Sequence, residues 1–251
     1  MQFQIITKMK NKKFIGYLIR YSIATVGLAL VAIGVALSIK SQLGTAPISC
    51  PPYVLSLMPG AAFTVGEFTI MMHFCFILLQ ILLLRKNFKM EYFMQIIPTL
   101  LFGYMCDFFI WAFQGLTVTT FGGKVGILLL SCVITAMGIS IEVMAKAWML
   151  AGEMMVQALA TVSKMKFNNM KVIFDIACVV ISALIAWFLY HNIFGASPDT
   201  NVMNNLLART EGVAIGLGTL ISAVFTGLIM KGTDPLCKLI FGKALDKSWK
   251  Y

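Results

Sequence analysis

Five ionisable residues stand where chemistry inside a membrane could use them. His73, Asp107, Glu142 and Asp175 lie within long apolar stretches, and Glu153 lies on an interrupted one. A carboxylate at the bilayer centre costs about 2.5–3.5 kcal/mol on insertion scales, so such groups face a bundle interior, pair, or hold a proton. His73 is the one titratable nitrogen that reads as well inside a span. Buried bases therefore cannot neutralise Asp107, Glu142 and Asp175 together, which is the arrangement a proton relay or cation site uses. Asp175, Asp107, Glu142 and His73 are accordingly the candidates for proton or ion coupling. Each has a plainer reading beside it. Asp107 is near the outer end of its stretch and can reach headgroup water. Glu142 can pair with Lys146 at i+4. Asp175 can pair with Lys171, or sit in the first turn of its helix, where negative charge is favoured. His73 can be a buried ring bonded to a carbonyl.

Glu153 is the strongest candidate for solute binding. Gly152 before it lets the backbone turn sharply or approach a ligand closely. Glu153 then opens a short helix, where it either neutralises the positive end or presents a carboxylate to a cation. The matching region earlier in the chain, Gly44-Thr45-Ala46-Pro47, offers backbone amides, a hydroxyl and a fixed turn. The expected substrate-binding set is Glu153, Gly152, Gly44, Thr45 and Pro47. A nucleophile–base pair, a metal cluster and a phosphate loop are all missing from the sequence, so no enzyme, metal or cofactor is expected. The six cysteines form no C-x-x-C pair and read as small apolar filler.

Composition sets the elements that must position these groups. The chain is 59% hydrophobic, 12% charged and has a mean hydropathy of +0.88. Soluble domains carry about 25% charged residues, so a soluble enzyme, a disordered tail and a nucleic-acid binder are excluded. A helical span needs roughly 20 apolar residues. Six stretches qualify: Tyr21–Ile39, Phe68–Leu84, Tyr92–Phe113, Val125–Met144, Val172–Tyr190 and Gly212–Met230. The period-2 alternation of a barrel is absent. Of the 20 lysines and arginines, 17 fall on one side of these spans, and Lys40, Lys124 and Arg209 fall on the other. That bias predicts both termini in the cytoplasm, with the basic face against anionic headgroups. Residues 1–20 form a basic arm rather than a cleaved signal. Residues 231–251 read as an amphipathic helix on the inner leaflet.

The expected fold is an all-α polytopic membrane protein with six transmembrane helices in two inverted three-helix repeats. The first repeat occupies residues 21–113 and the second 125–230, joined by an external loop at 114–124. Gly34–Ile39 matches Gly138–Val143, and Thr69–His73 matches Lys171–Asp175. Each half reads as span, broken segment, span, span, with the broken segments at 43–60 and 147–162. Both are too short to cross and too apolar for ordinary loops. Non-helical backbone at membrane depth is tolerated only inside protein or beside a water-filled cavity. Three spans per half is odd, so the second half enters in the opposite sense. Inverted repeats with matched breaks point to secondary transporters. The match also puts His73 and Asp175 at equivalent positions. Small residues in Gly212–Gly216 and Gly218–Ser222 read as close helix packing, within the bundle or between protomers of a homodimer.

The stretch Gly34–Pro47, followed by Tyr53-Val-Leu-Ser56, resembles the YczE/YyaS/YitT family of bacterial integral membrane proteins. Leu79-Gln80, Leu101-Phe-Gly-Tyr104 with Asp107, Gly152-Glu153 and Lys171-Val-Ile-Phe-Asp175 are similar to it too. The resemblance runs from Tyr21 to Gly232. It departs at Ala151, where the family commonly has proline, and in lacking the soluble C-terminal domain of the YitT branch. It implies a bacterial cytoplasmic-membrane protein and supplies no substrate. The physics points to a secondary transporter of a small polar or cationic metabolite, with the proton as candidate coupling ion and the site between the broken segments. A non-transporting accessory or scaffold for biosynthetic or export partners is the alternative.

Overall fold

The computed structural model describes the backbone of residues 2–88, 90–196 and 213–249. Among the described residues there is no strand. A single bridge joins Gly195 to Val213. The described residues form eight α-helices, in order α1 (Gln2–Lys40), α2 (Cys50–Ser56), α3 (Val65–Leu84), α4 (Ile96–Ala112), α5 (Phe121–Ala145), α6 (Ala151–Ser163), α7 (Phe167–Tyr190) and α8 (Leu217–Trp249). Ile15–Lys40, Val65–Leu84, Tyr92–Ala112, Phe121–Ala145 and Phe167–Tyr190 are each long and apolar enough to cross a membrane. A sixth candidate is a bent pair, with limbs Leu217–Met230 and Pro235–Gly242 meeting at 54°. These properties fit a multi-pass membrane protein.

Three boundaries differ from the sequence reading: α1 begins at Gln2 rather than Tyr21, so the basic arm is part of the first helix, and the last helix differs at both ends. The last helix starts at Leu217 rather than Gly212, because Val213–Gly216 form an irregular strip against the first broken segment. It also runs on past Met230 and changes direction across Pro235, so the expected tail helix is its continuation. Proline lacks the amide donor and crowds the preceding turn, which is why helices kink there. Gly212 and Arg209 lie outside the described residues.

α1 and α5 form the centre of the bundle. Over their apolar windows 56% and 50% of residues are buried, against 22% for α3 and 28% for α7. α1 brings Leu28, Val31, Ala32 and Val35 inward at helical spacing. They meet Ala136 and Ile139 of α5 and Phe102 and Cys106 of α4. Glycine makes the crossing possible. A Cβ on Gly27 would stand 2.8 Å from the Gly138 carbonyl oxygen, and one on Gly138 would stand 2.7 Å from the Gly27 oxygen. α4 and α8 pack directly on this pair, and α3 and α7 lie beyond them and turn Leu78, Leu82, Val180, Leu184 and Phe188 outward, as lipid-facing helices do.

The two broken segments each contain a short helix. α2 has seven residues, about 10 Å at 1.5 Å per residue, and carries Pro51 and Pro52 in its first turn, where amide donors are not required. α6 has 13 residues, about 20 Å, well short of the roughly 30 Å hydrocarbon core. Left-handed Lys146 (φ 48°) and Lys164 (φ 56°) bracket α6 and turn the chain into and out of it. α2 packs on α7 and α3, and α6 packs on α3 and α7. The small-residue stripe is used within the chain: Gly216 and Gly218 lie against the Leu43 carbonyl, and Gly218 also meets Leu128.

The crossing gives a direct test. Gly138→Ala should cost about 1–3 kcal/mol through overpacking, read as a lower melting temperature in detergent. Gly126→Ala, on the same helix with nothing within 4 Å, should leave melting unchanged or raise it.

Candidate functional site

α6 begins inside the protein, and four sequence candidates gather around its first turn. His73 from α3, Glu142 from α5, Glu153 from α6 and Asp175 from α7 are between 1% and 3% exposed. Each faces inward for a local reason. In α3 the buried stripe is Thr69, His73, Ile77 and Gln80, spaced at one helical face. In α7 it is Lys171, Phe174, Asp175, Cys178, Ser182 and Ala186. Glu142 ends a buried run, Gly138–Glu142, that follows the α1 crossing, and its Cγ is 3.1 Å from where a Gly27 Cβ would be.

Lys171 is the base of the cluster, which the sequence reading counted on the basic face and offered as a partner for Asp175. It is 4% exposed, and its Nζ bonds Asp175 Oδ1 at 2.7 Å. Glu153 lies within electrostatic range of both Lys171 and Asp175, and Glu142 within range of Glu153. Neither oxygen of Glu142 has a hydrogen-bond partner, nor does Glu153 Oε2. Of the plainer readings, the Lys171–Asp175 pair is present, but it is buried rather than at the surface. Glu142 is sequestered rather than solvated.

His73 and Asp175 do not bond each other. His73 packs between Phe76 and Phe102, with ring centroids 5.9 and 5.8 Å away, and its Nδ1 has no partner. A Cβ on Gly152 would stand 3.6 Å from His73 Nε2 and would strike the Ile48 side chain. Gly152 is therefore where the two broken segments touch. Two amides brace this point. Gln80 and Gln95 bond each other reciprocally at 3.3 and 3.1 Å, and Gln80 Nε2 also donates to the Ala151 carbonyl at 3.1 Å. Both glutamines were missed as site residues. The clue in the sequence is spacing: Gln80 follows His73 by two helical turns.

Gly44, Thr45 and Pro47 sit elsewhere on the same polar string. Gly44 adopts φ 109°, and Gly216 N is 2.6 Å from where its Cβ would be. The amides that sequence offered to a ligand are turned inward. Thr45 N–H donates to the Ala214 carbonyl at 3.0 Å, and Ala46 N–H to Ser38 Oγ at 3.4 Å. Thr45 Oγ1 is 2.9 Å from Cys50 Sγ, and Pro47 opens the 3-10 turn that carries Ile48. Cys50 in turn lies within electrostatic range of Asp175 and Cys178.

Asp107 stands apart from the cluster. Its Oδ2 accepts from Thr64 Oγ1 at 2.6 Å and its Oδ1 from Gly66 N–H at 2.8 Å. Thr64 is the N-cap of α3, in a capping box with Glu67. Asp107 thus completes a helix N-terminus, where anions are favoured.

A cavity of about 280 Å³ adjoins the cluster at the lysine-rich end, lined by Tyr92, Gln95, Val143, Lys146, Trp148 and Met154 among others. Gln95 is both its wall and the partner of Gln80. Among the described residues, no group of three or more His, Cys, Asp or Glu could hold a metal ion.

Breaking one partner of a buried ion pair strands the other. Lys171→Met should cost about 3–5 kcal/mol in thermal unfolding, and adding Asp175→Leu should recover most of it. Asp107→Ala should cost about 1 kcal/mol through the lost cap.

Comparison with known proteins comes down to one match. No curated protein and no solved structure matches the chain. Residues 18–235 match the family of unknown function DUF6198, and the chain belongs to that family.

Proposed function

We propose that the protein is a secondary transporter of a small polar or cationic metabolite, built from two inverted three-helix halves. The carrying observation is the cluster at the start of α6. Three buried carboxylates share one ammonium there, beside a junction of two interrupted segments. A site that takes up positive charge from outside the protein accounts for acids left without partners.

Reciprocal packing supports the inverted halves. With Gly34 aligned to Gly138, Gly27 aligns with Ser131 and Val31 with Thr135. Gly27 meets Gly138 while Gly34 meets Ser131, and Val31 meets Gly138 while Gly34 meets Thr135. Such exchange is what a two-fold relation between the halves produces. The short helices follow the same rule. α6 starts beside His73 in mid-α3 and runs toward Leu84 at its end. α2 starts near Cys178 in mid-α7 and reaches Tyr190 at its end, where Tyr190 Oη donates to the Val54 carbonyl at 2.7 Å. Interrupted helices meeting at depth are where such transporters bind their solutes.

In this reading Glu153 faces the solute, with Gly152 giving the close approach and Lys171–Asp175 setting the local field. Gly44, Thr45 and Pro47 shape the opposing segment, and Gln95 separates the site from the cavity. The lysine-rich end lies in the cytoplasm, with both termini there, and the membrane is the bacterial cytoplasmic one. The resemblance to YczE/YyaS/YitT proteins, on the residues quoted above, extends this proposal to kinship with that family.

The test is a thermal-shift panel of polar and cationic metabolites on the detergent-purified protein at about pH 5.5 and about pH 8. A ligand that binds only the folded state raises its stability. A reproducible rise that is absent in Glu153→Gln, followed by Glu153-dependent flux of that solute into proteoliposomes, is the expected result. A folded protein with no shift and no flux would favour the accessory role.

A further inference from the structure

We propose that Glu142 and Glu153 form a proton-binding pair, which holds at least one proton while the cluster is closed and exchanges it with water of the adjoining cavity. The inference deepens the transport reading by naming the ion that site would couple to its solute. It rests on the same cluster, read for its protons rather than for its solute. Glu142 is 1% exposed, with the Leu150 backbone beside it but neither oxygen in a well-formed hydrogen bond, and Glu153 is 3% exposed with Oε2 open. An ionised carboxylate gathers donors around it, and one buried without them is strongly unfavourable. A neutral acid avoids that cost.

Among the described residues, Lys171 is the cation within electrostatic range of Glu153. α7 contributes Lys171 and Asp175, and Lys171 is committed to Asp175 at 2.7 Å. α3 contributes His73, held between Phe76 and Phe102. α1 meets Glu142 through Gly27, and its Arg20 lies two turns nearer the lysine-rich end. On α5, Lys146 follows Glu142 by one turn and lines the cavity. Backbone of Leu150 faces Glu142. A divalent metal does not fit, because no three-ligand group is present among the described residues.

A route for the proton is short. Val143 and Met154, the chain neighbours of Glu142 and Glu153, both line the cavity. On loading, a hydronium in cavity water gives its proton to a carboxylate oxygen. One O–H bond breaks in the hydronium, one forms on the acid, and neutral water remains. Unloading is the reverse.

The experiment is infrared difference spectroscopy of the protein in liposomes through a pH step, with no solute present. At about pH 7.5 the carbonyl stretch of a protonated carboxyl should persist, well above the ordinary glutamate range near 4.3. It should weaken in Glu142→Gln or Glu153→Gln and vanish in the double variant. Stability gives the second readout. An acid protonated when folded and ionised when unfolded makes the folded-to-unfolded ratio fall with rising pH, by up to about tenfold per pH unit. That fall should be present in the wild-type protein and flattened in whichever glutamine variants elute as folded protein. Glutamine is close in shape to a protonated glutamate, so folding should be retained.

A wild-type protein with no such band at about pH 7.5, or a band and pH slope that survive substitution at both positions, would overturn the proposal. The two readings fail separately. A band without solute flux would remove the transporter and leave the pair. Solute flux without a band would do the opposite.

Discussion

One ammonium answering three buried carboxylates is the constraint around which the rest of the structure is arranged. Lys171 and Asp175 can pair one turn apart on α7 only because both face inward, and both face inward because α2, α6 and α8 pack on α7. An ion pair taken out of water owes its net balance to geometry, and losing either partner leaves a stranded charge. Glu142 and Glu153 then remain buried beside this pair with oxygens that lack hydrogen-bond partners. Proteins seldom keep unsatisfied buried acids without a use for them.

The central α1–α5 crossing serves this cluster as a frame. Backbone-to-backbone contact at Gly27 and Gly138 fixes the depth and rotation of α5, and Glu142 is the next turn along. On the other side, the Gln80–Gln95 amide pair holds the first carbonyl of α6, and Gln95 also lines the neighbouring cavity. Rigid supports on both sides and an unsatisfied centre are what a binding site requires, since selectivity needs fixed walls while binding needs unspent interactions. The proposed transport site and the proposed proton pair share this architecture.

Much of it was legible in the residues. The spans are apolar runs, and the middle four appear as helices within a few residues of their expected places, while the first and last helices run well beyond theirs. The breaks at Gly44–Pro47 and Gly152–Glu153 are written in glycine and proline, and the structure answers with two short helices. His73, Glu142, Glu153 and Asp175 stand out because charge is rare at depth. Asp107 was equally conspicuous, yet it caps α3, a role settled by the approach of α4 to Thr64 and Gly66. Thr45 offered a hydroxyl to a ligand, but the irregular strip before α8 takes its amide.

By itself the sequence determined the class of protein, the number of apolar stretches, the lysine-rich side and the short roster of acids in hydrophobic surroundings. These follow from transfer free energies and helix length, which depend on local composition. Tertiary structure alone decided which acids share a volume, that Lys171 is buried with them, and that Gln80 and Gln95 hold the start of α6. Those outcomes depend on the rotation and depth of helices far apart in the chain. Rotation and depth are set by side-chain packing at crossings such as Gly27–Gly138, and no periodicity within one helix encodes its partner.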